Sequence, residues 1–193
     1  ESQVYIVQVK FFIFSKELDL LKLRKCWMNV IEKYDILRSS FHVLDDLFVH
    51  YIYSHCELPW TEHNWKGIRD FEDQLEKFLE EDRNIKFDFE RPPLMRINLI
   101  ETDNGVICIW THHHIILDGW SLATVMNEVI ENYEIIEQSA HVSTQFKEWI
   151  EWSIGKSIDQ AYWKNLLNGL EQTEIPFLDS EKENPHFRYL ETR

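Results

Sequence analysis

Glycine is scarce in this chain: five among 193 residues, never close enough together to form a Gly-rich loop. That excludes the dinucleotide and P-loop fingerprints, in which glycines let backbone N–H groups close on phosphates, and no GxSxG elbow is present for a serine hydrolase. Cysteine is scarcer still. Cys26, Cys56 and Cys108 are odd in number, widely spaced and without a CxxC pair, which argues against a disulfide framework or zinc knuckle and fits a reducing, cytoplasmic setting. No apolar run approaches the roughly 20 residues that span a bilayer. Glu1 opens neither a signal peptide nor with an initiator Met, so the chain is expected to begin inside a longer one. Positive charge is in deficit, 20 Lys and Arg against 34 Asp and Glu for a formal −14, which argues against nucleic acid or an anionic membrane as partner.

What is present is core-forming material: 44% hydrophobic, with eight Trp and twelve Phe, enough for one sizeable core and one domain. Residues 4–14, rich in Val, Ile, Phe and Tyr, predict a central strand buried on both faces. Asp19 precedes Leu20, Leu23, Trp27, Val30, Ile31 and Tyr34, one helical face with Asp19 as N-cap and an end near Asp35. Residues 38–44 and 47–53 predict a hairpin across Asp45-Asp46, 59–67 a loop, and 68–83 an amphipathic helix with an acidic solvent face. Pro92-Pro93 ends an irregular segment and introduces a strand over 94–101, joined through Asp103-Asn104-Gly105 to an antiparallel strand over 106–111. Helices follow to about residue 137, over 146–154, and over 159–170 with Gly169 as the stop; 171–193 reads as irregular. The order predicts an α/β sandwich.

The stretch from Val106 to Ser121, VICIWTHHHIILDGWS, concentrates titratable groups where a strand meets a helix. Alternation along a strand would put His112 and His114 on the Trp110 face and His113 with Ile107 and Ile109. One histidine can then be held by the core while its neighbour presents a ring nitrogen to a cavity as general base or proton shuttle. The plainer readings stand beside this one: a hydrogen-bonded structural histidine, Asp118 as a helix cap with Ser121 in its first turn, Gly119 as a turn residue. A metal site on His112 and His114 lacks an HExxH pattern or a nearby acidic partner, and Cys108, mid-strand, reads as buried rather than nucleophilic.

His113, His114, Asp118 and Gly119 match the HHxxxDG motif, so the chain resembles the condensation domains of nonribosomal peptide synthetases, whose fold is like chloramphenicol acetyltransferase. Trp120 and Ser121 match residues that often follow the motif. KYDILRSSF (33–41) is similar to the family's RHExLRTxF, with Lys33-Tyr34 in place of Arg-His. FDFERPPLMR (87–96) is similar to the segment before the active-site hairpin, and Phe146, Glu148, Trp149 and Trp152 resemble YxDYxxW by conservative replacement.

The resemblance implies a fold and a reaction. The fold is an α/β (α+β) two-layer sandwich: the N-terminal lobe of a condensation domain over residues 1–193, a mixed, largely antiparallel sheet packed by helices, without the family's first helix motif and C-terminal lobe. The reaction is amide bond formation between donor and acceptor thioesters on the 4′-phosphopantetheine arms of peptidyl carrier domains, with no cofactor bound directly. The C-terminal lobe and an adenylation domain are the other implied partners. His114 is the implied catalytic residue, His113, Asp118 and Gly119 its supports, and Arg38 the partner of Asp118 in a buried ion pair. Gly119 would admit close backbone approach, and Trp120 and Ser121 are candidates for lining the substrate tunnel. An epimerization domain shares the motif; a non-catalytic lobe that binds carriers or tailoring enzymes and a coenzyme A acyltransferase are the other readings.

Overall fold

The computed structural model describes residues 5–14, 18–134, 145–156 and 159–170. The chain divides into two units, Glu1–Ser153 and Ile154–Arg193. The first carries β1 (Ile6–Ile13), α1 (Leu20–Lys33), a 3-10 turn (Asp35–Arg38), β2 (Ser39–Leu44), β3 (Leu47–Ile52), β4 (Trp60–Asn64), α2 (Phe71–Asn84), β5 (Met95–Thr102), β6 (Gly105–His113), α3 (Gly119–Glu134) and nearly all of α4 (Phe146–Ile154). In the second, α5 (Gln160–Leu166) starts where Asp159 accepts the Tyr162 N–H at 3.0 Å. It is shorter than the expected 159–170, and Gly169 follows it at φ 85°. The tail over 171–193 and the last turn expected to about 137 lie outside the described residues.

The main sheet runs β1-β6-β5-β4, antiparallel except for β4, which pairs parallel to β5. Alternation along β5 and β6 divides the core into two faces. Met95, Ile97, Leu99, Val106, Cys108 and Trp110 meet α1 and α3 through Leu23, Trp27, Val30, Ile31, Val125 and Val129. Ile100, Ile107 and Ile109 meet Leu75, Phe71 and Phe78 of α2 on the other. The expected mixed sheet packed by helices is present, and α2 adds a layer on its second face.

The local signals act as their chemistry dictates. Asp19 caps α1 by accepting the Lys22 N–H at 2.9 Å. Asp45 and Asp46 sit at φ 47° and 64°, the paired left-handed residues of a tight hairpin turn, which aspartate tolerates. Gly105 has φ 150°, and a Cβ there would collide with the Ile13 carbonyl oxygen, so the β5–β6 turn requires glycine.

Two expectations are corrected. The first strand is an edge among the described residues, not central, since β1 pairs with β6 alone. Val9, Phe11 and Ile13 pack on one core and Phe12 on the other, so its apolar sequence reports two covered faces, which say nothing about hydrogen-bonded neighbours. The loop expected over 59–67 contains β4, an edge strand among the described residues, whose Thr61, Glu62 and Asn64 are exposed. Its parallel partner lies more than 30 residues away, so no local pattern announced it.

One carboxylate ties these layers together. Asp82, 3% exposed near the end of α2, accepts from Arg96 Nε at 2.7 Å, Asn98 Nδ2 at 3.1 Å, Gln8 Nε2 at 2.8 Å and Thr111 Oγ1 at 2.5 Å. Its backbone carbonyl also accepts from Arg96 Nη2. Burial alone would raise this carboxyl, but the bonds from Arg96, Thr111 and Gln8 outweigh it and hold it below the usual range. Asp82→Ala leaves a guanidinium whose side chain is only 12% exposed without its partner, and is expected to cost about 3–5 kcal/mol in urea unfolding. Because the folded carboxyl is depressed, its stabilisation is complete above the unfolded value of about 4 and is lost as pH falls toward the native one. The gap between wild type and Asp82→Ala therefore narrows in acid; a gap constant from about pH 7 down to about pH 2.5 would contradict this account.

Candidate active site

β6 delivers the three histidines into three environments. His112, 1% exposed, lies against Trp110 at 4.8 Å, and Trp110 meets Trp27 edge-on at 4.9 Å. Burial, then the neighbouring His114 and His113, lowers its pKa to about 4, so it is a neutral core residue at physiological pH. His113 ends the strand and is also buried. Its Nδ1 accepts the Ile115 N–H at 3.1 Å, and its ring sits perpendicular to Phe89 at 4.8 Å and at a steep angle to Tyr5 at 6.3 Å.

His114 leaves the strand alternation. β6 stops at His113 and residues 114–116 form a turn, so His114 does not share the Trp110 face as expected. Its N–H donates to the Tyr5 carbonyl at 2.7 Å, and its Nδ1 lies 2.5 Å from the Leu117 carbonyl oxygen. A carbonyl can only accept, so Nδ1 carries the proton and the neutral ring keeps its lone pair on Nε2. His114 borders a cavity of about 340 Å³ whose lining includes Asp118, Ser121 and Thr124, the apolar Ile115 and Val125, and Tyr34, Ile36, Leu37 and Phe146. A larger cavity of about 590 Å³ at the opposite end of the strands, near Phe12, Trp65 and Asn104, contains no histidine. The smaller one is lined by His114, Asp118 and Ser121 from the histidine motif.

The Condensation domain model matches residues 1–191. The chain belongs to the condensation domain family. Among curated relatives, a linear gramicidin synthase of Brevibacillus parabrevis is 30% identical over 191 residues, covering 92% of this chain and 2% of that protein. Bacitracin synthase 3 of Bacillus licheniformis is 32% identical over 163 residues, 80% of this chain and 3% of that one. Among solved structures, the epimerization domain from the third module of tyrocidine synthetase B aligns with TM-score 0.76 and 18% identity over 91% of this chain and 42% of its own. The starter condensation domain of rhizomide synthetase aligns with TM-score 0.76 and 18% identity over 89% and 44%. The chain thus spans under half of these solved chains and a few per cent of the curated synthases.

Within this condensation-family chain the motif residues part company. Asp118 accepts the Ser121 N–H at 2.8 Å and the Ser121 hydroxyl at 2.7 Å, and those bonds hold its carboxyl below the usual range. It is an exposed cap of α3. The expected ion pair with Arg38 is absent from the ion pairs of the described residues: Arg38 donates to the Ile31 carbonyl at 3.0 Å, to the Glu32 carbonyl at 3.2 Å and to the Tyr53 carbonyl. Those carbonyls, at the end of α1 and just past β3, occupy the guanidinium without a carboxylate, so Arg38 staples the two elements together instead. Gly119 opens α3 with free space where a Cβ would stand. Ser121 lines the cavity, whereas Trp120 is 88% exposed and outside it. Cys108 is fully buried with its thiol pushed well up by burial, which rules it out as a nucleophile.

The partner of Lys33-Tyr34 was not legible in the sequence. Lys33 Nζ lies 2.5 Å and Tyr34 OH 3.1 Å from Glu128 Oε1 on α3, so the pair that departs from Arg-His carries its own acid, and of these three residues Tyr34 lines the cavity. The signal available was the departure itself. If Asp118 and Arg38 act separately, the losses in thermal midpoint of Asp118→Ala and Arg38→Ala add in the double variant; a double variant no worse than the poorer single one would restore the ion pair.

Proposed function

We propose that this chain is the N-terminal lobe of a nonribosomal peptide synthetase condensation domain and that it forms amide bonds between carrier-bound thioesters in the cytoplasm. The observation that carries this reading is the His114 ring: Nδ1–H spent on the Leu117 carbonyl and Nε2 left as an acceptor beside a cavity of about 340 Å³. Family membership supports the reaction class. The acceptor amine attacks the donor thioester carbonyl, a C–N bond forms, and the C–S bond breaks to release the donor phosphopantetheine thiol. The amine proton passes to Nε2 and from there to the departing sulfur. Orienting the amine and taking its proton use the same lone pair, so a single geometry serves both.

His113 and Asp118 act through the turn that presents His114, the first by receiving the Ile115 N–H and the second by capping α3. Donor and acceptor carrier domains deliver the thioesters, an adenylation domain loads them, and a second lobe supplies the opposite wall of the tunnel. The length of the solved relatives supports that division.

In the full synthetase, His114→Ala is expected to lower transfer between loaded carriers by about 10²–10⁴-fold, the usual worth of a positioned acid–base group, while both carriers still load. Transfer within a few-fold of wild type would contradict the assignment. Solvent deuterium entering the α-carbon of a carrier-bound aminoacyl group, without amide formation, would favour epimerization instead.

A further inference from the structure

The cavity beside His114 has a largely apolar lining with a few polar groups. His114, Asp118, Ser121 and Thr124 come from the histidine turn and α3, which also contribute apolar residues such as Ile115 and Val125, while Ile36, Leu37 and Phe146 add apolar surface from the 3-10 turn and α4. The side chain of a substrate whose amine sits at Nε2 therefore meets mostly apolar lining. Of the apolar lining residues, Leu37, Ile116, Leu117 and Val125 belong to the core and Ile36 packs against it. Ile115 and Phe146 are the exposed ones, and Phe146 is the bulkier, so its volume can change most with little cost to the core.

Phe146 is also held in an unusual way. Its backbone N–H donates to Asp35 Oδ1 at 3.2 Å, the Asp35 N–H donates back to Gln145 Oε1 at 3.2 Å, and Gln145 Nε2 donates to the Lys33 carbonyl at 3.2 Å. Asp35, 6% exposed, thus caps a helix that lies 110 residues further along the chain. The ring itself stacks on Trp149 at 5.8 Å and meets His50 edge-on at 6.0 Å. Cap and ring contacts together fix where this part of the lining stands.

We propose that Phe146 sets the size of the aminoacyl side chain admitted beside His114, and that Asp35 is the positioning residue that holds it there. This rests on the condensation reading. The test uses the full synthetase with its donor carrier loaded and two soluble acceptors, the N-acetylcysteamine thioesters of alanine and of tryptophan, read as the ratio of their kcat/KM values. Phe146→Ala is expected to shift the ratio about 10-fold toward tryptophan, in line with what a changed apolar pocket discriminates, and Phe146→Trp to shift it the other way. Asp35→Ala should follow Phe146→Ala, whereas Asp35→Asn, which keeps an oxygen for the Phe146 N–H, should keep the wild-type ratio. If Phe146→Ala fails to fold, Phe146→Leu is read instead and must move the ratio in the same direction. A folded variant that condenses both acceptors in the wild-type ratio overturns the proposal. Wild type that forms amide with neither acceptor, nor between loaded carriers, overturns the condensation reading itself and this inference with it.

Discussion

A single buried carboxylate holds the sheet in register just behind the histidines. Asp82 reaches from α2 to β1, β5 and β6 at once, through Gln8, Arg96 and Asn98, and Thr111. In the β1–β6 register Gln8 faces Thr111, and the next pairs along are Val7 with His112 and Ile6 with His113. The knot thus fixes β6 at Thr111, directly before His112 and His113. Leaving out Arg96 would strand the Asp82 charge in the interior, and losing a neutral partner would remove one of its hydrogen bonds, so the arrangement is specific. Phe87 completes it from outside, its ring 4.6 Å from the Arg96 guanidinium.

From that anchor the three histidines differ because the backbone changes course between them. His112 is still inside the sheet and is kept neutral by burial. His113 is the last strand residue and serves the turn. His114 is in the turn, where the Leu117 carbonyl selects its tautomer. Equal residue types at consecutive positions thus become a packing residue, a structural acceptor and a ring whose Nε2 keeps its lone pair, each from its own surroundings.

The parts legible in the sequence were those specified locally. Asp19 before an apolar helical face, Asp45-Asp46 and Asp103-Asn104-Gly105 between alternating runs, and the histidines ahead of an Asp-Gly helix start all carry their meaning within a few residues. The parts that were not legible depend on partners far along the chain. The apolar run of β1 could not reveal its edge position, and β4, largely polar, looked like loop. Asp82 sits among acids, Glu80 and Glu81, that it resembles in sequence and not in burial. Arg38 was expected to seek a carboxylate and found three carbonyls, because helix and strand ends close by had unsatisfied acceptors to offer. Asp35 had no visible task until the start of α4 arrived beside it.

Which nitrogen of His114 carries the proton decides its proposed role, since only an unprotonated Nε2 can receive an amine hydrogen. Nitrogen NMR on the chain with ¹⁵N-labelled histidine, at a pH where this ring is neutral and with His114→Gln to assign its signals, reads that directly. The predicted result is a protonated Nδ1 and a lone pair on Nε2. A neutral ring with its proton on Nε2 would contradict it.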